Sequence, residues 1–415
     1  MKLVYDPEDP IFQKRQLGPH PMPGLWSYFL PKEFVKFDLP KERCSTCMDC
    51  PKVREEGWRK DYRCCTYHPR VANFALGLSM FTKEGEMAAQ KCLKLGVLTP
   101  EGMTHSPLQY IDYLQDLEEE KFGQSERVLC PMLDQATGFC NIHAFRNSVC
   151  STFFCLNDHG DVGEKFWSSV QTLVGQVEIA LSQWCLEELG YDVKGYARRL
   201  SSLAKNIKNV SDPKSHGFTA KALKTIWGDL YGKELETYKK CAELVSENRD
   251  YLWEIACDTK IFDAEDFDQA ILKNVPKSLQ HQIDEEEWET GCEASLPQDL
   301  WRELRKNYYK LWQLPTHPVT LNRKIEILEN KAASASDIVY KKQPFKLHMR
   351  ERRGSKEDDF VLYLSKNESE ILETFREPRT IDWRFLAGDL AKAHPDVKSF
   401  LMEASAKKIL VRKRG

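Results

Sequence analysis

A mainly α-helical protein with two further, dissimilar parts is predicted by three observations. Apolar residues recur at helical spacing through much of residues 161–331, and ten of the 14 cysteines fall in residues 44–155, all but Cys92 in two groups. Beyond residue 341 the pattern changes to two short apolar runs followed by helical pieces. The expected architecture is an irregular cysteine-rich metal-binding region with an N-terminal arm (1–160), a helical domain (161–331) and a small α+β, winged-helix-like domain (341–415).

The arm, residues 1–43, is rich in proline and aromatics (Pro19, Pro21, Pro23, Trp26, Tyr28, Phe29, Phe34, Phe37), which suits an extended segment packed on a core. Helical spacing resumes between residues 71 and 122, through Phe74, Leu78 and Phe81, then around Met87, then near Tyr110. The longest helix is predicted to open at Asp161 and Glu164, which stand at capping-box spacing. It carries Phe166, Val170, Leu173, Val174, Val177, Leu181 and Trp184 on one face. Further helices are expected around 196–207 and 223–253, with Pro276, Pro297 and Pro315 marking turns because proline removes an amide donor. Trp288, Trp301, Tyr308, Tyr309 and Trp312 read as core packing. The run AASASD near residues 332–336 suits a linker. Past it, strands are expected at 345–349 and 360–364 and helices at 368–375, 382–393 and 396–405, with an apolar end at Ile409, Leu410 and Val411.

Composition narrows the function. Sixty Lys and Arg against 63 Asp and Glu leave a formal charge of −3, which excludes a protein that wraps a polyanion and disfavours nucleic acid as a partner. The N-terminal stretch lacks the basic flank and apolar core of a signal peptide, and no run of 18 apolar residues occurs. A cytoplasmic protein with no membrane partner is expected. In that reducing setting, clustered thiols point to metal ligands or redox groups rather than structural disulfides. Phosphate-cradling glycine loops, a His-Glu-x-x-His helix and the usual radical loop with three spaced cysteines are missing from the sequence.

The first cysteine group, CSTCMDCP, sets Cys44, Cys47 and Cys50 at two-residue gaps, and Cys64 and Cys65 follow as an adjacent pair. Two-residue gaps let one turn of backbone aim successive thiolates at a common point, as zinc knuckles and iron–sulfur loops both require. Neighbouring thiols rarely both reach one tetrahedral zinc, so the pair favours a larger cluster or two sites. The second group runs from Cys130 through Cys140 and Cys150 to Cys155, with Gly138 allowing a tight turn and His143 as a candidate ligand or donor to a thiolate. His68 is a weaker candidate.

These residues resemble the YkgJ-like cysteine-cluster family, described as zinc- or iron-chelating proteins. Cys64 and Cys65 match its upstream pair. Cys130, Pro131, Leu133, Gly138, Cys140, Ile142, His143, Arg146, Cys150 and Cys155 match the remainder in order. Asn147 and Ser151 depart from the proline and the basic residue usual there. A flagellin lysine methylase family looks related through the same Cys-Cys and Cys-Pro elements, and there the cluster is thought to be iron–sulfur. The stretch 364–411 is similar to the PqqD-like winged helix, in which a leader peptide adds a strand to a sheet edge. The C-x-x-C-x-x-C-P run and the adjacent pair put a 4Fe-4S cluster ahead of zinc, with Cys44, Cys47, Cys50, Cys64, Cys65, Cys130, Cys140, Cys150, Cys155 and His143 as its candidate ligands, and the PqqD-like resemblance implies a protein or peptide partner docking on 341–415. The protein would then be an enzyme or accessory factor modifying a peptide or protein. The alternative is a non-enzymatic scaffold with structural zinc.

Overall fold

The computed structural model describes residues 3–17, 20–37, 39, 42, 59, 61–154, 160–285, 296–311, 318–331, 343–349, 360–381 and 383–412. The chain is about 56% helical with small antiparallel sheets, so the mainly α class holds. None of the described helices is long and apolar enough to cross a membrane. The chain divides into two compact units, residues 1–156 with 168–302 and residues 157–167 with 303–415, where the sequence reading has three domains.

In the first unit the N-terminal arm is a hairpin rather than a plain extended segment. Lys14–Leu17 pairs with His20–Pro23, Lys14 opposite Pro23 and Leu17 opposite His20. A two-stranded ribbon tolerates Pro21 and Pro23 because it leaves outward amide positions unused. Trp26, Phe29 and Phe34 then bury the arm, each at most 2% exposed. The helix Asn73–Ser79 follows, and its first residue ties three elements together. The Asn73 side-chain amide donates to the carbonyls of Pro100 and Ser182, each at 3.0 Å, while its Oδ1 accepts from the amide of Phe74. Gly77 in the same helix lies against the helix Glu234–Glu247, so close that a Cβ would sit 1.9 Å from the Tyr238 carbonyl oxygen. A three-stranded patch, Val71–Ala72 and Leu98–Thr99 either side of Gly102–Met103, was not expected from the sequence; its two-residue strands are too short to show alternation. Trp227 donates from Nε1 to Leu98 O at 3.0 Å, joining the helix Ala220–Trp227 to this patch.

The longest helix spans Gly160–Glu188, one residue ahead of the expected cap, and its stripe of Val170, Leu173, Val174, Val177 and Leu181 is fully buried as predicted. The expected continuous helix over 223–253 is broken instead into Ala220–Trp227, Glu234–Glu247 and Leu252–Asp258. Gly228 and Gly232, both at positive φ, interrupt it. Trp301 stacks on Phe37 with centroids 5.5 Å apart, whereas Tyr309 is 51% exposed and is not core.

The second unit is built on two small sheets. One has Phe345–Met349 between Phe360–Leu364 and Ile325–Glu329, all antiparallel, with Leu347 opposite Leu362 and Ile327. The other pairs Leu410–Arg412 with Val319–Leu321. The strands at 345–349 and 360–364 match expectation, but Val319–Leu321 and Ile325–Glu329 fall where helix was expected. The helices Lys366–Glu373, Trp383–Leu386, Asp389–Lys392 and Val397–Ala406 complete the unit. Ser365 and Glu368 close a capping box on the first of them. Leu347, Leu364, Ile371, Leu372, Phe375 and Leu401 form its core. The linker expected at 332–336 lies outside the described residues.

Candidate functional site

Two separate chain segments bring cysteines together. The first is a tight turn in which the amides of Arg63 and Cys65 donate to the carbonyls of Arg59 and Tyr62, with Arg63 in the left-handed region at φ 54°. That turn presents Cys64 and Cys65. The second segment is fastened to it by the Cys130 amide, which donates to Cys65 O at 2.7 Å, and by His68 Nε2, 3.0 Å from Leu129 O. From Cys130 the chain enters a hairpin, Leu133–Asp134 against Phe139–Cys140, with Leu133 opposite Cys140. Gly138 at φ 67° makes the reversal, as its position before Cys140 suggested. Asp134 stabilises the turn by accepting from the Ala136 amide and the Thr137 hydroxyl.

After a 3₁₀ turn at His143–Phe145, Asn147 starts the short helix Ser148–Thr152: its Oδ1 accepts from the Cys150 amide at 3.0 Å. This is a physical reason for asparagine where the resembled family has proline. A proline could not supply an N-cap oxygen, and here the cap orients the turn bearing Cys150.

All five of these cysteines are thiols, with no disulfide among them. They act on one another electrically. The Cys65 thiol is pushed well up by its hydrogen bond to Cys64, by burial and by the charges of Cys64, Cys130 and Cys140. Cys150 is raised by burial and by Cys130, Cys140 and Cys64, and Cys130 by burial and Cys140. Cys64 is lowered instead, first by its hydrogen bond with Cys65 and then by the guanidinium groups of Arg146 and Arg63. Cys130 is buried. Cys64 and Cys150 sit within dense protein yet keep solvent-accessible surface, so they border an opening rather than the core. Exposed Phe139 and Phe153 flank the group, with Arg63 over the Phe139 ring.

His143 lies beside the group. Burial, then Arg146 and Lys14, push its imidazole down to about 3, and its buried Nδ1 has no hydrogen-bond partner. A neutral imidazole with an open nitrogen has the donor chemistry a metal ligand needs. The donor set of soft thiols and neutral imidazole therefore fits zinc or an iron–sulfur cluster. Even so, among the described residues no three His, Cys, Asp or Glu side chains are drawn close enough to hold one ion. Cys44, Cys47, Cys50 and Cys155, the remaining expected ligands, lie outside the described residues.

A second feature went unread in the sequence. Beside the cysteine segments lies a cavity of about 220 Å³, whose wall includes Arg70, five residues past Cys65, and Val149, next to Cys150. One wall is the helix Gly160–Glu188, which turns Ser168, Gln171, Gly175, Gln176, Ser182 and Gln183 toward it. These stand at spacings of three, four and seven residues, a polar face opposite the apolar stripe. Gln176, Ser182 and Gln183 are at most 8% exposed. The signal that would have revealed the cavity is this polar stripe on a helix too central to be washed by solvent.

No protein-family model matches the chain, and no curated protein or solved structure is similar to it. The resemblances therefore rest on the motif residues alone.

Proposed function

We propose that the chain is a cysteine-ligated metal protein, with an iron–sulfur cluster favoured over zinc. What supports this reading is that the segment bearing Cys64 and Cys65 and the segment bearing Cys130, Cys140 and Cys150, 65 residues on, are tied by the backbone hydrogen bond from Cys130 to Cys65, and that their thiols act electrostatically on one another. Five thiols exceed the four of a single tetrahedral zinc. The holding residues would be drawn from these five and from Cys44, Cys47, Cys50 and Cys155, with His143 completing or supporting the set. A bound cluster would supply one-electron chemistry or a Lewis-acidic iron; the chain's own part is to gather the thiolates, to keep His143 neutral and to leave Cys64 and Cys150 reachable from solvent.

The YkgJ-like resemblance supports the same reading. The PqqD-like resemblance supports a winged-helix-like C-terminal part that docks a peptide or protein segment, by strand addition at an edge of its three-stranded sheet. Together they suit a factor that modifies a peptide or protein in the cytoplasm. The second reading, structural zinc in an interaction scaffold, is favoured by the knuckle-like hairpin between Cys130 and Cys140, closed by Gly138.

Anaerobic purification with elemental analysis and a visible spectrum on one sample tests both. Iron with acid-labile sulfide and absorption near 400 nm is the expected result. Zinc without colour selects the scaffold, and a metal-free protein that binds neither iron nor zinc on reconstitution overturns the proposal.

A further inference from the structure

We infer that the cavity walled by the helix Gly160–Glu188 is a binding site for a small organic cation, a free alkyldiamine, distinct from the thiol group and independent of whether that group holds metal. The first observation is the space itself. At about 220 Å³ it exceeds the roughly 150 Å³ of an apolar cavity known to accept benzene, and so accommodates a ligand of at least six heavy atoms. Half-open apolar walls (Val71, Ala72, Ile179, Phe267, Ile271) would cover a short methylene chain.

The second observation is Gln176. It borders the cavity, is only 8% exposed, and its side chain makes no hydrogen bond among the described residues. Its side chain is thus nine-tenths buried yet takes no partner from those residues, which leaves its amide for whatever occupies the cavity. A carboxamide lining the cavity offers an oxygen that can accept from an ammonium N–H.

The third is the sign of the charge. Glu101, Asp263 and Asp268 line the cavity together with Arg70, so acid outnumbers base there, and Glu178 adds to the excess. His105 does not offset it, since burial pushes its imidazole down to about 3 and keeps it neutral. Glu101 is fixed in place: Gln183 Nε2 donates to Glu101 Oε1 at 2.7 Å and also to Phe262 O, while the Phe262 amide donates back to Gln183 Oε1. A carboxylate clamped by a side chain that is itself clamped by backbone is preorganised for a partner. The Asp268 carboxyl makes no hydrogen bond among the described residues, and Asp263 is exposed. Burial pushes Asp268 up to about 6 and raises Glu101 and Asp263 as well, with Arg70 acting against this at each. A guest of positive charge relieves that strain; an anion would add to it.

The two ends of a diamine find different partners. One ammonium is directed to Glu101 and the Gln176 oxygen at the helix wall, the other to Asp268 and Asp263 toward solvent.

Isothermal titration calorimetry of the full chain with putrescine tests this, with 1,4-butanediol and 4-aminobutyrate as matched neutral and zwitterionic probes. Saturable 1:1 putrescine binding is expected, at least tenfold tighter than either control, and weakened by salt. Asp268→Asn should weaken it at least tenfold and Gln176→Leu about fivefold, each variant being checked for an unchanged circular dichroism spectrum and a melting transition no lower than wild type. Should Gln176→Leu fail to fold, the salt dependence and Asp268→Asn carry the test. Absence of putrescine binding at millimolar concentration would overturn the inference, as would equal binding of butanediol or 4-aminobutyrate, or undiminished binding by Asp268→Asn. Loss of the metal on Cys130→Ser with putrescine binding retained would separate this site from the thiol group.

Discussion

The amide of Cys130 donates to the carbonyl of Cys65 across 2.7 Å, and this one bond sets the two thiol-bearing segments side by side. The residues it links both carry thiols, so the backbone contact holds the two segments together without involving either sulfur.

If these thiols share a centre, Ser substitution of Cys64, Cys65, Cys130, Cys140 or Cys150 should lower metal per chain by the same step, read by elemental analysis of anaerobically purified protein. Cys257, half-buried in the helix Leu252–Asp258, serves as control and should leave the metal content unchanged. Unchanged metal in all five variants would remove them from the ligand set.

Asn147 tests the link between local structure and the same group. Removing its cap oxygen with Asn147→Ala should cost about 1 kcal/mol in urea unfolding, because the Cys150 amide loses its partner. Asn147→Asp, which keeps the oxygen, should restore most of it. If alanine and aspartate variants unfold at the same urea concentration, the cap is not what holds this turn.

Helix packing gives a sharper number. A Cβ at Gly77 would meet the Tyr238 carbonyl oxygen at 1.9 Å and the Ala242 Cβ at 2.9 Å, and backbone cannot step aside as a flexible side chain would. Gly77→Ala should therefore destabilise by about 2 kcal/mol or more. A melting temperature within a degree or two of wild type would show that the two helices separate at little cost.

How far the sequence announces all this depends on how local each signal is. The apolar stripe from Val170 to Leu181 is legible because a helix repeats its buried face within one segment. The thiol group is legible in its members, since cysteine spacing is written along the chain. Its assembly is not, because the bond from Cys130 to Cys65 joins residues 65 apart. The strand Ile325–Glu329 was hidden for the same reason: its partner Phe345–Met349 lies on the far side of a predicted linker, and a five-residue run declares itself only through pairing. Gln176 was overlooked because a polar residue on an amphipathic helix reads as solvent-facing until the second wall of the cavity is known.

Asp268 ties stability to pH. Its folded carboxyl titrates near 6 against an ordinary 3.8, chiefly through burial, so the folded state binds the proton more tightly than the unfolded chain does. That contribution is complete below about pH 4 and is lost as pH rises through 6. Asp268→Asn, which cannot ionise, should be more stable than wild type by on the order of 1–2 kcal/mol at pH 7.5 and no different at pH 4, by urea unfolding at both pH values. An equal difference at both would assign the effect to packing rather than to charge. A stabilising replacement at a polar cavity wall is the pattern of a residue kept for binding rather than for folding.

The C-terminal unit makes a prediction about where the chain can be cut. Val319–Leu321 pairs with Leu410–Arg412, and Ile325–Glu329 pairs with Phe345–Met349, so strands upstream of residue 332 draw their hydrogen bonds from strands downstream of 342. Truncation after residue 340, the boundary suggested by the change in composition, would leave Val319, Leu321 and Ile325 without the core of Leu347, Ile371, Phe375 and Leu401 that buries them. Exposed strand edges with apolar faces aggregate and are cleaved readily. A chain of residues 1–340 should therefore be nicked by trypsin between 303 and 340 far faster than the full chain, while its metal content, if residues 44–155 hold metal as proposed, stays the same. Protease resistance through 303–340 in the truncated chain would show that those strands hold without their partners, and loss of metal on truncation would show that the thiol group depends on the C-terminal unit.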